Sequence, residues 1–235
     1  MSIDNTTGIP LPDPLADSPQ LPVIRYWRTL ADAPFTETVF INAATSLLTA
    51  DVDLSHATVI LPTGGEAEAR DWLGSGAERI LFTDAAVKDT TLVSRMAAEL
   101  GEGKVGVWLP VKRMGISWVL DKTSNADFSC MTPSCGKPSW EVLLTDGKRT
   151  GIDADWWSRQ MLQQGATCIL ISADYTDTHD HNIAAELVEK HGEPLWLSPL
   201  SQTGVEWKVE DWQQYANARQ IVMPPPVEEA GEENV

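Results

Sequence analysis

Basic side chains are scarce in this sequence. Its 235 residues include 17 lysines and arginines against 34 aspartates and glutamates, and the formal net charge at pH 7 is −17. An anionic surface repels phosphate backbones, and no run of lysine or arginine supplies a local basic patch. We therefore expect no nucleic-acid partner.

Long apolar runs and cysteines are also scarce. Apolar stretches such as 166–172 are far shorter than the roughly 20 residues that span a bilayer, and the N-terminal residues MSIDNTTG lack the features of a secretory signal. Cys130, Cys135 and Cys168 are too few for a disulfide framework or a four-ligand zinc site. The sequence thus predicts a cytoplasmic protein without a membrane partner.

Short β-branched runs alternate with amphipathic stretches along most of the chain. Strands are predicted at 38–42, 58–61, 79–83, 104–109, 168–172, 195–198 and 219–223, and helices at 23–30, 66–73, 89–100, 153–164, 183–191 and 209–217. Such alternation is typical of parallel βαβ units. Together with a further strand at 2–4, it predicts a (β/α)8 TIM barrel, and a doubly wound open sheet is the alternative. No G-x-G-x-x-G motif or P-loop is found, so no cofactor is expected.

The positions of the prolines and of the acidic residues predict three segments. Residues 1–35 form a proline-rich arm with a remnant of a first βα unit, 36–223 form the barrel with a shortened first strand, and 224–235 form an acidic, disordered tail. Within the barrel, 114–146 interrupt the alternation. Strand-like pieces at 116–120 and 140–145 predict one β-hairpin inserted after the fifth strand, above the barrel mouth.

Three segments resemble the HisA/HisF family of histidine-biosynthesis barrels. They are TETVFINAATS at 36–46, GGEAEARDWLGSGAERILFTDAAVKD at 64–89 and WEVLLTDGKRTGIDADWWSRQMLQQGATCILIS at 140–172. The last is most similar to the cyclase subunit of imidazole glycerol phosphate synthase. The resemblance covers about 36–223 and implies a ribulose-phosphate-binding type of barrel, with lyase activity on a bisphosphorylated ribonucleotide.

The resemblance also implies two carboxylates at the barrel mouth, one acting as acid and one as base. For the first strand, the candidate is Asp4 in IDNTTG. At the end of the fifth strand, Pro110 stands where the second carboxylate is expected, just before the pair 112–113, and Asp121 is the nearest substitute. Asn42 stands where another acid usually ends the second strand, and asparagine does not titrate.

Backbone amides hold two substrate phosphates in this family. The resemblance assigns substrate or phosphate binding to Gly64, Gly65, Thr83, Asp174, Thr176 and Thr178. However, Glu66, Asp84 and Asp177 stand where they would face the phosphates. Two like charges about 4 Å apart repel by about 4 kcal/mol at an effective dielectric constant of about 20. We therefore expect weak phosphate binding or none.

The resemblance implies an interface at the N-terminal face of the barrel, where the family's cyclase binds a glutaminase subunit. Glu37 and Arg79 match two positions of a charged ring on that face. Cys168 replaces a third, acidic position, and the ring's first-strand arginine has no evident counterpart. The alternative is that both charges simply cap the bottom of a barrel.

A dense cluster of acids and histidines follows the sixth strand: Asp174, Asp177, His179, Asp180 and His181. Such side chains can bind zinc or iron, which would indicate a metal-dependent enzyme. The same residues also suit the capping of the helix that follows. We favour capping and predict no metal site.

The substituted positions favour a non-catalytic or repurposed family member that acts as a partner or scaffold subunit. We expect a protein partner or a homo-oligomer. The alternative is a cyclase-like lyase of histidine biosynthesis that uses Asp4 or Asp121 on a small phosphorylated substrate.

Overall fold

The structure is a computed structural model that describes residues 21–46, 48, 52–114, 118–121, 130–133, 137–201 and 208–225. Eight strands form a closed, parallel ring in the order β1-β2-β3-β4-β5-β10-β11-β12, and β12 returns to β1. The ring strands are β1 Val23–Arg28, β2 Val39–Asn42, β3 Ala57–Leu61, β4 Arg79–Phe82, β5 Val105–Arg113, β10 Ile169–Ala173, β11 Leu195–Pro199 and β12 Gln220–Met223. The predicted (β/α)8 TIM barrel is confirmed.

Helices connect most of the strands and cover the outside of the ring. They are α1 Glu66–Gly74, α2 Asp84–Lys88, α3 Leu92–Leu100, α4 Ala154–Gln163, α5 Thr178–His191 and α6 Val209–Ala216, with single 3-10 turns at Leu30–Asp32 and Ala43–Thr45. None of the helices among the described residues has the length and apolar character needed to cross a membrane.

Burial on both faces of the ring explains why its strands are continuous apolar runs. Every residue of β3 and of β10 is buried. Alternate side chains such as Val59 and Ile171 point outward and pack against helical residues such as Met96. The intervening side chains form a separate cluster inside the ring. This two-sided burial is characteristic of parallel sheets covered by helices.

The prediction of a helix at 23–30 is wrong. These residues form β1, which pairs in parallel with β12 on one side and β2 on the other. The sequence VIRYWR mixes β-branched and aromatic residues with arginines. Short runs of this kind fit both the helical period of about 3.6 residues and the strand period of about two residues. The barrel therefore begins at Val23, within the predicted arm, and the predicted strand at 2–4 does not hold the first place in the ring. Residues 1–20 and the tail from 226 onwards lie outside the described residues.

The insertion after the fifth strand holds two hairpins instead of one. β6 Trp118–Asp121 pairs with β7 Cys130–Pro133, while β8 Trp140–Leu143 pairs in antiparallel with the end of β5 and with β9 Arg149–Asp153. The two predicted pieces therefore belong to different hairpins. Because β5 continues to Arg113, it provides an edge on which β8 and β9 extend the ring outward.

Candidate functional site

An aromatic cluster fills the interior of the barrel. Four of its side chains are Trp27 from β1, Phe40 from β2, Trp108 from β5 and Trp196 from β11. The other members are Ile60, Leu81, Cys168, Leu170 and Val222, so every strand of the ring contributes. Trp27 is 7% exposed and Phe40 1% exposed. The barrel axis is therefore a packed core.

Ring contacts link these aromatic side chains along the axis. The centroid distances are 6.3 Å for Trp108 and Trp27, 6.2 Å for Trp27 and Phe40, and 5.4 Å for Phe40 and Trp196. Such tilted and edge-to-face pairs are favourable beyond the area they bury. The cluster therefore occupies the centre of the barrel as one connected unit.

The indoles of Trp27 and Trp108 are each fixed by a hydrogen bond to a buried serine. Trp27 Nε1 donates to Ser198 Oγ over 3.0 Å, and Trp108 Nε1 donates to Ser172 Oγ over 2.8 Å. A buried indole N–H needs such a partner, because an unpaired one carries a desolvation cost. Each tryptophan is thereby held in one orientation, between β1 and β11 or between β5 and β10.

Arg113, at the end of β5, is held by two aspartates of the loop and helix that follow β10. Its Nη1 donates to Asp177 Oδ2 over 2.9 Å, and its Nη2 lies 2.6 Å from Asp180 Oδ2. Asp180 is 1% exposed and also accepts hydrogen bonds from Trp140 Nε1 and from the amide and hydroxyl of Thr176. This cluster fastens the β10–α5 loop to β5 and β8.

Hydrogen bonds keep the buried Asp180 carboxyl in its ionised form. Burial by itself raises the pKa of its carboxyl, but the bonds from Trp140, Thr176 and Arg113 outweigh burial and lower the pKa. The Arg113 hydrogen bond likewise lowers the pKa of Asp177. Both aspartates are therefore ionised at neutral pH, and the one guanidinium of Arg113 compensates half of their combined charge.

Two further acids at the barrel mouth hold loops together. Asp84, 5% exposed, accepts hydrogen bonds from the amide and hydroxyl of Thr145 over 2.9 and 3.0 Å, which ties α2 to the β8–β9 turn. Asp174 accepts hydrogen bonds from the amide and hydroxyl of Ser201 over 2.8 and 2.9 Å. Both carboxylates therefore serve internal bonds.

The opposite, N-terminal face of the barrel carries a cavity of about 600 Å³. Its lining comprises Leu21, Val23, Arg25, Thr38, Glu78, Arg79, Thr167, Glu193, Pro194, Trp196, Arg219 and Gln220. Arg25 at the rim forms an ion pair with Glu37 over 3.3 Å. Arg79 donates from Nε to the Gly103 carbonyl over 2.9 Å. We call this surface the N-terminal face.

Comparison with curated proteins finds several relatives named "Imidazole glycerol phosphate synthase subunit HisF". The chain is 29% identical to the one from Dictyoglomus turgidum over 123 residues, which are 52% of this chain and 40% of the relative. It is 30% identical to the one from Prochlorococcus marinus over 133 residues, 56% and 44% of the two chains. For Sulfolobus acidocaldarius the identity is 26% over 141 residues, 60% and 47% of the two chains.

Together with the closed parallel ring, these matches support a distant HisA/HisF-like barrel. The matched region spans less than half the length of each of these relatives. No protein-family model matches the chain.

The candidate acid and base of a HisF-like active site fall outside what the structure places. Asp4 lies outside the described residues, and the end of the first strand is now at Arg28. Asp121 is the last residue of β6, and its side chain is not described. Pro110 is buried in β5, opposite Ser172, and Asn42 accepts a hydrogen bond from the Ala44 amide.

The glycine loop expected to bind phosphate lies between β3 and α1. Gly65 is the residue before α1, and Gly64 approaches Glu68 so closely that a Cβ would overlap that carboxylate. Thr83 is 2% exposed, and its Oγ1 has no hydrogen-bond partner among the described residues. Near the other end, Thr178 is the exposed first residue of α5, whereas Thr176 is engaged by Asp180.

The three acids expected to face the phosphates accept hydrogen bonds within the protein. Glu66 pairs with Arg70 and Arg95 on the outer helices. Asp84 and Asp177 are engaged by Thr145 and Arg113. The repulsion of a phosphate by these acids stays a prediction.

The loop of acids and histidines after β10 caps a helix, as the favoured interpretation predicts. Asp177 accepts a hydrogen bond from the His179 amide at the start of α5. His181 stacks between Tyr175 and Tyr215, with centroids 5.1 and 5.4 Å away. Nowhere in the described part of the chain do three potential metal ligands converge. The metal-dependent alternative therefore has no geometric support.

Sequence analysis missed Arg25. It lies near the start of β1 and pairs with Glu37, and it lines the same cavity as Arg79. Cys168, which stands where the resemblance implies an acid, is fully buried, and burial raises the pKa of its thiol to about 11. The alternation in VIRYWR was the signal that these residues form a strand. Arg25 and Trp27 were both missed because the segment was assigned to a helix.

Proposed function

We propose that this HisF-like barrel is a non-catalytic subunit that binds a protein partner. One observation carries the proposal: Trp27 and Trp108, from strands β1 and β5, meet inside the barrel. The resemblance assigns the acid and the base to the ends of these same two strands. An indole N–H does not titrate near neutral pH, so the tryptophan pair on the axis supplies no group for proton transfer, and Pro110 at the expected carboxylate position supplies none either.

The packing of the mouth supports the same proposal. Small-molecule sites are concave and need several hundred cubic ångströms of space, whereas the axis here is filled by buried side chains. The described acids around the mouth are also engaged in hydrogen bonds within the protein. Asp84, Asp174 and Asp180 each accept two or more internal hydrogen bonds. A substrate would have to displace them at the cost of loop anchoring.

The N-terminal face supports a binding role. It carries Arg25, Glu37 and Arg79 together with a cavity, whereas Asn42 and Pro110 stand at the mouth where the resemblance implies acids. Each of these relatives is named as a subunit of imidazole glycerol phosphate synthase. Divergence at one end of the barrel with retention at the other favours a partner-binding role for this chain.

Calorimetric titration with the cyclase's bisphosphorylated ribonucleotide substrate tests the proposal. At low ionic strength we expect no saturable heat from the full chain at millimolar ligand, with the Dictyoglomus turgidum relative as positive control. Low salt matters because it maximises attraction between phosphates and any remaining donors. Saturable binding in the micromolar range would overturn the proposal and would favour the lyase alternative, with Asp4 and Asp121 as the first residues to substitute.

A further inference from the structure

The cavity on the N-terminal face has an aromatic floor and an apolar rim. Trp196 lines it, and the Trp196 ring packs against Phe40 of the interior cluster, with the ring centroids 5.4 Å apart. Val23, which is 42% exposed, lines the same cavity. Its volume of about 600 Å³ lies in the range of small-molecule sites, which combine apolar walls with a few polar groups. The cavity is therefore large enough for a small ligand with an apolar side chain.

Two of the three arginines around the cavity already have partners within the protein. Arg25 pairs with Glu37 over 3.3 Å, and a guanidinium nitrogen of Arg79 lies 3.9 Å from a carboxylate oxygen of Glu78. Neither arginine is therefore a free positive charge, and a charged ligand would have to be recognised by other residues.

Arg219 and Glu193 remain as the free charges of the cavity. Both are exposed, and neither forms an ion pair with another residue in the part of the chain that the structure describes. Arg219 directly precedes β12 and Glu193 lies just before β11, and these two strands are neighbours in the ring. The side-chain amide of Gln220 donates to the Glu193 carbonyl, which links the two strand starts. One positive and one negative side chain thus line the same cavity as Trp196.

We propose that this cavity binds a free amino acid with an apolar or aromatic side chain. The carboxylate of the ligand pairs with Arg219, its ammonium group pairs with Glu193, and its side chain packs on Trp196. A zwitterion satisfies both free charges and is neutral overall, so the net charge of −17 does not repel it as it repels an anion. The site does not depend on the proposed function. If both are correct, the amino acid and the protein partner share the N-terminal face.

Calorimetric titration of the full chain with L-phenylalanine, hydrocinnamate and phenethylamine tests the proposal. All three carry the same ring, but hydrocinnamate lacks the ammonium group and phenethylamine lacks the carboxylate. We expect saturable binding of L-phenylalanine and roughly tenfold weaker binding of the other two, because each leaves one charged side chain of the cavity without a partner. No saturable heat from L-phenylalanine at millimolar concentration would overturn the proposal.

Two variants assign the charges to their residues. In Arg219→Gln, L-phenylalanine is expected to bind only as well as phenethylamine does, and in Glu193→Gln only as well as hydrocinnamate does. The control variants Lys148→Gln and Glu68→Gln remove exposed charges that do not line the cavity, and they are expected to keep the full preference for L-phenylalanine. Equal losses in the control variants would contradict the assignment.

Sedimentation velocity over a range of protein concentrations covers the other occupant of such a surface. A dimer that forms without L-phenylalanine, and that both Arg219→Gln and Glu193→Gln dissociate, would overturn the proposal and would assign the two charges to a second copy. Titration of the mouth with the bisphosphorylated ribonucleotide is independent of these results. Failure of the amino-acid site is therefore distinguishable from failure of the proposed function.

Discussion

Trp27 and Trp108 meet edge to face inside the barrel, with centroids 6.3 Å apart and ring planes inclined by 70°. They project from β1 and β5, which lie on opposite sides of the ring. Each indole is also fixed by a buried serine. The pair therefore closes the axis from two sides, and the residues that fill the barrel also stabilise it, because aromatic side chains of this size bury a large apolar area.

Replacement of Trp27 by alanine is expected to open a void inside the barrel. Truncation of a buried tryptophan costs about 3–5 kcal/mol in unfolding free energy. A dry apolar cavity binds small aromatic molecules, so millimolar indole is expected to restore part of the loss. Urea unfolding with and without indole measures both effects.

Trp156→Ala is the matched control, because this side chain is 49% exposed on α4. We expect a loss below about 1 kcal/mol and no response to indole. Equal losses for the two variants would contradict a packed interior.

The helical layer and most of the ring were predictable from local sequence. The predicted bounds of α1, β3 and β4 match the structure within one residue, because turns and glycines isolate each run. β1 was missed because its apolar run is short, follows several prolines and fits both the helical and the strand period. Arg25 and Trp27, which lie within this strand, were missed with it.

The arrangement around Arg113 was not predictable from spacing. Its partners Asp177 and Asp180 lie 64 and 67 residues away, and only the closed ring brings β5 and the β10–α5 loop together. From sequence alone, the same aspartates were also compatible with a metal site, although capping was favoured. Local pattern supplies residue types, whereas the pairing between distant elements depends on tertiary structure.

Gly106 is expected to tolerate no side chain. A Cβ at this position of β5 would lie 2.3 Å from the Cys168 carbonyl oxygen of the neighbouring chain segment. Gly106→Ala must therefore push two ring strands apart, and we expect a loss of about 1–3 kcal/mol. Thermal or urea unfolding measures it. Gly74→Ala is the control, since nothing lies within 4 Å of a Cβ there, and a stability change as large as that of Gly106→Ala would contradict the prediction.

Asp84 is expected to anchor the β8–β9 hairpin. Asp84→Ala removes both acceptors from Thr145, so the hairpin opens more often and its amides exchange faster. Hydrogen exchange followed by mass spectrometry checks residues 140–153. In the control Asp146→Ala, an exposed carboxylate loses only its bond from the Lys148 amide, and faster exchange is expected at the turn alone. Unchanged exchange in Asp84→Ala would show that β8 and β9 hold by backbone pairing.

The contribution of Asp180 to stability is expected to depend on pH. Its folded-state pKa is lowered, so the stabilisation is fully present above the ordinary aspartate pKa of about 3.9 and is lost as the pH falls through the lowered value.

Asp180→Asn is expected to cost about 2–3 kcal/mol at pH 7, because Arg113 and Trp140 lose a buried charged acceptor. The difference from the wild type should stay constant from pH 7 to 5 and shrink below about pH 4, as followed by urea unfolding at pH 7, 5, 4 and 3. Asp71→Asn, at an exposed site on α1, serves as the control with a small difference at every pH. A loss in Asp180→Asn that stays constant with pH would mean that the carboxylate acts through its shape and packing, and that its charge adds nothing.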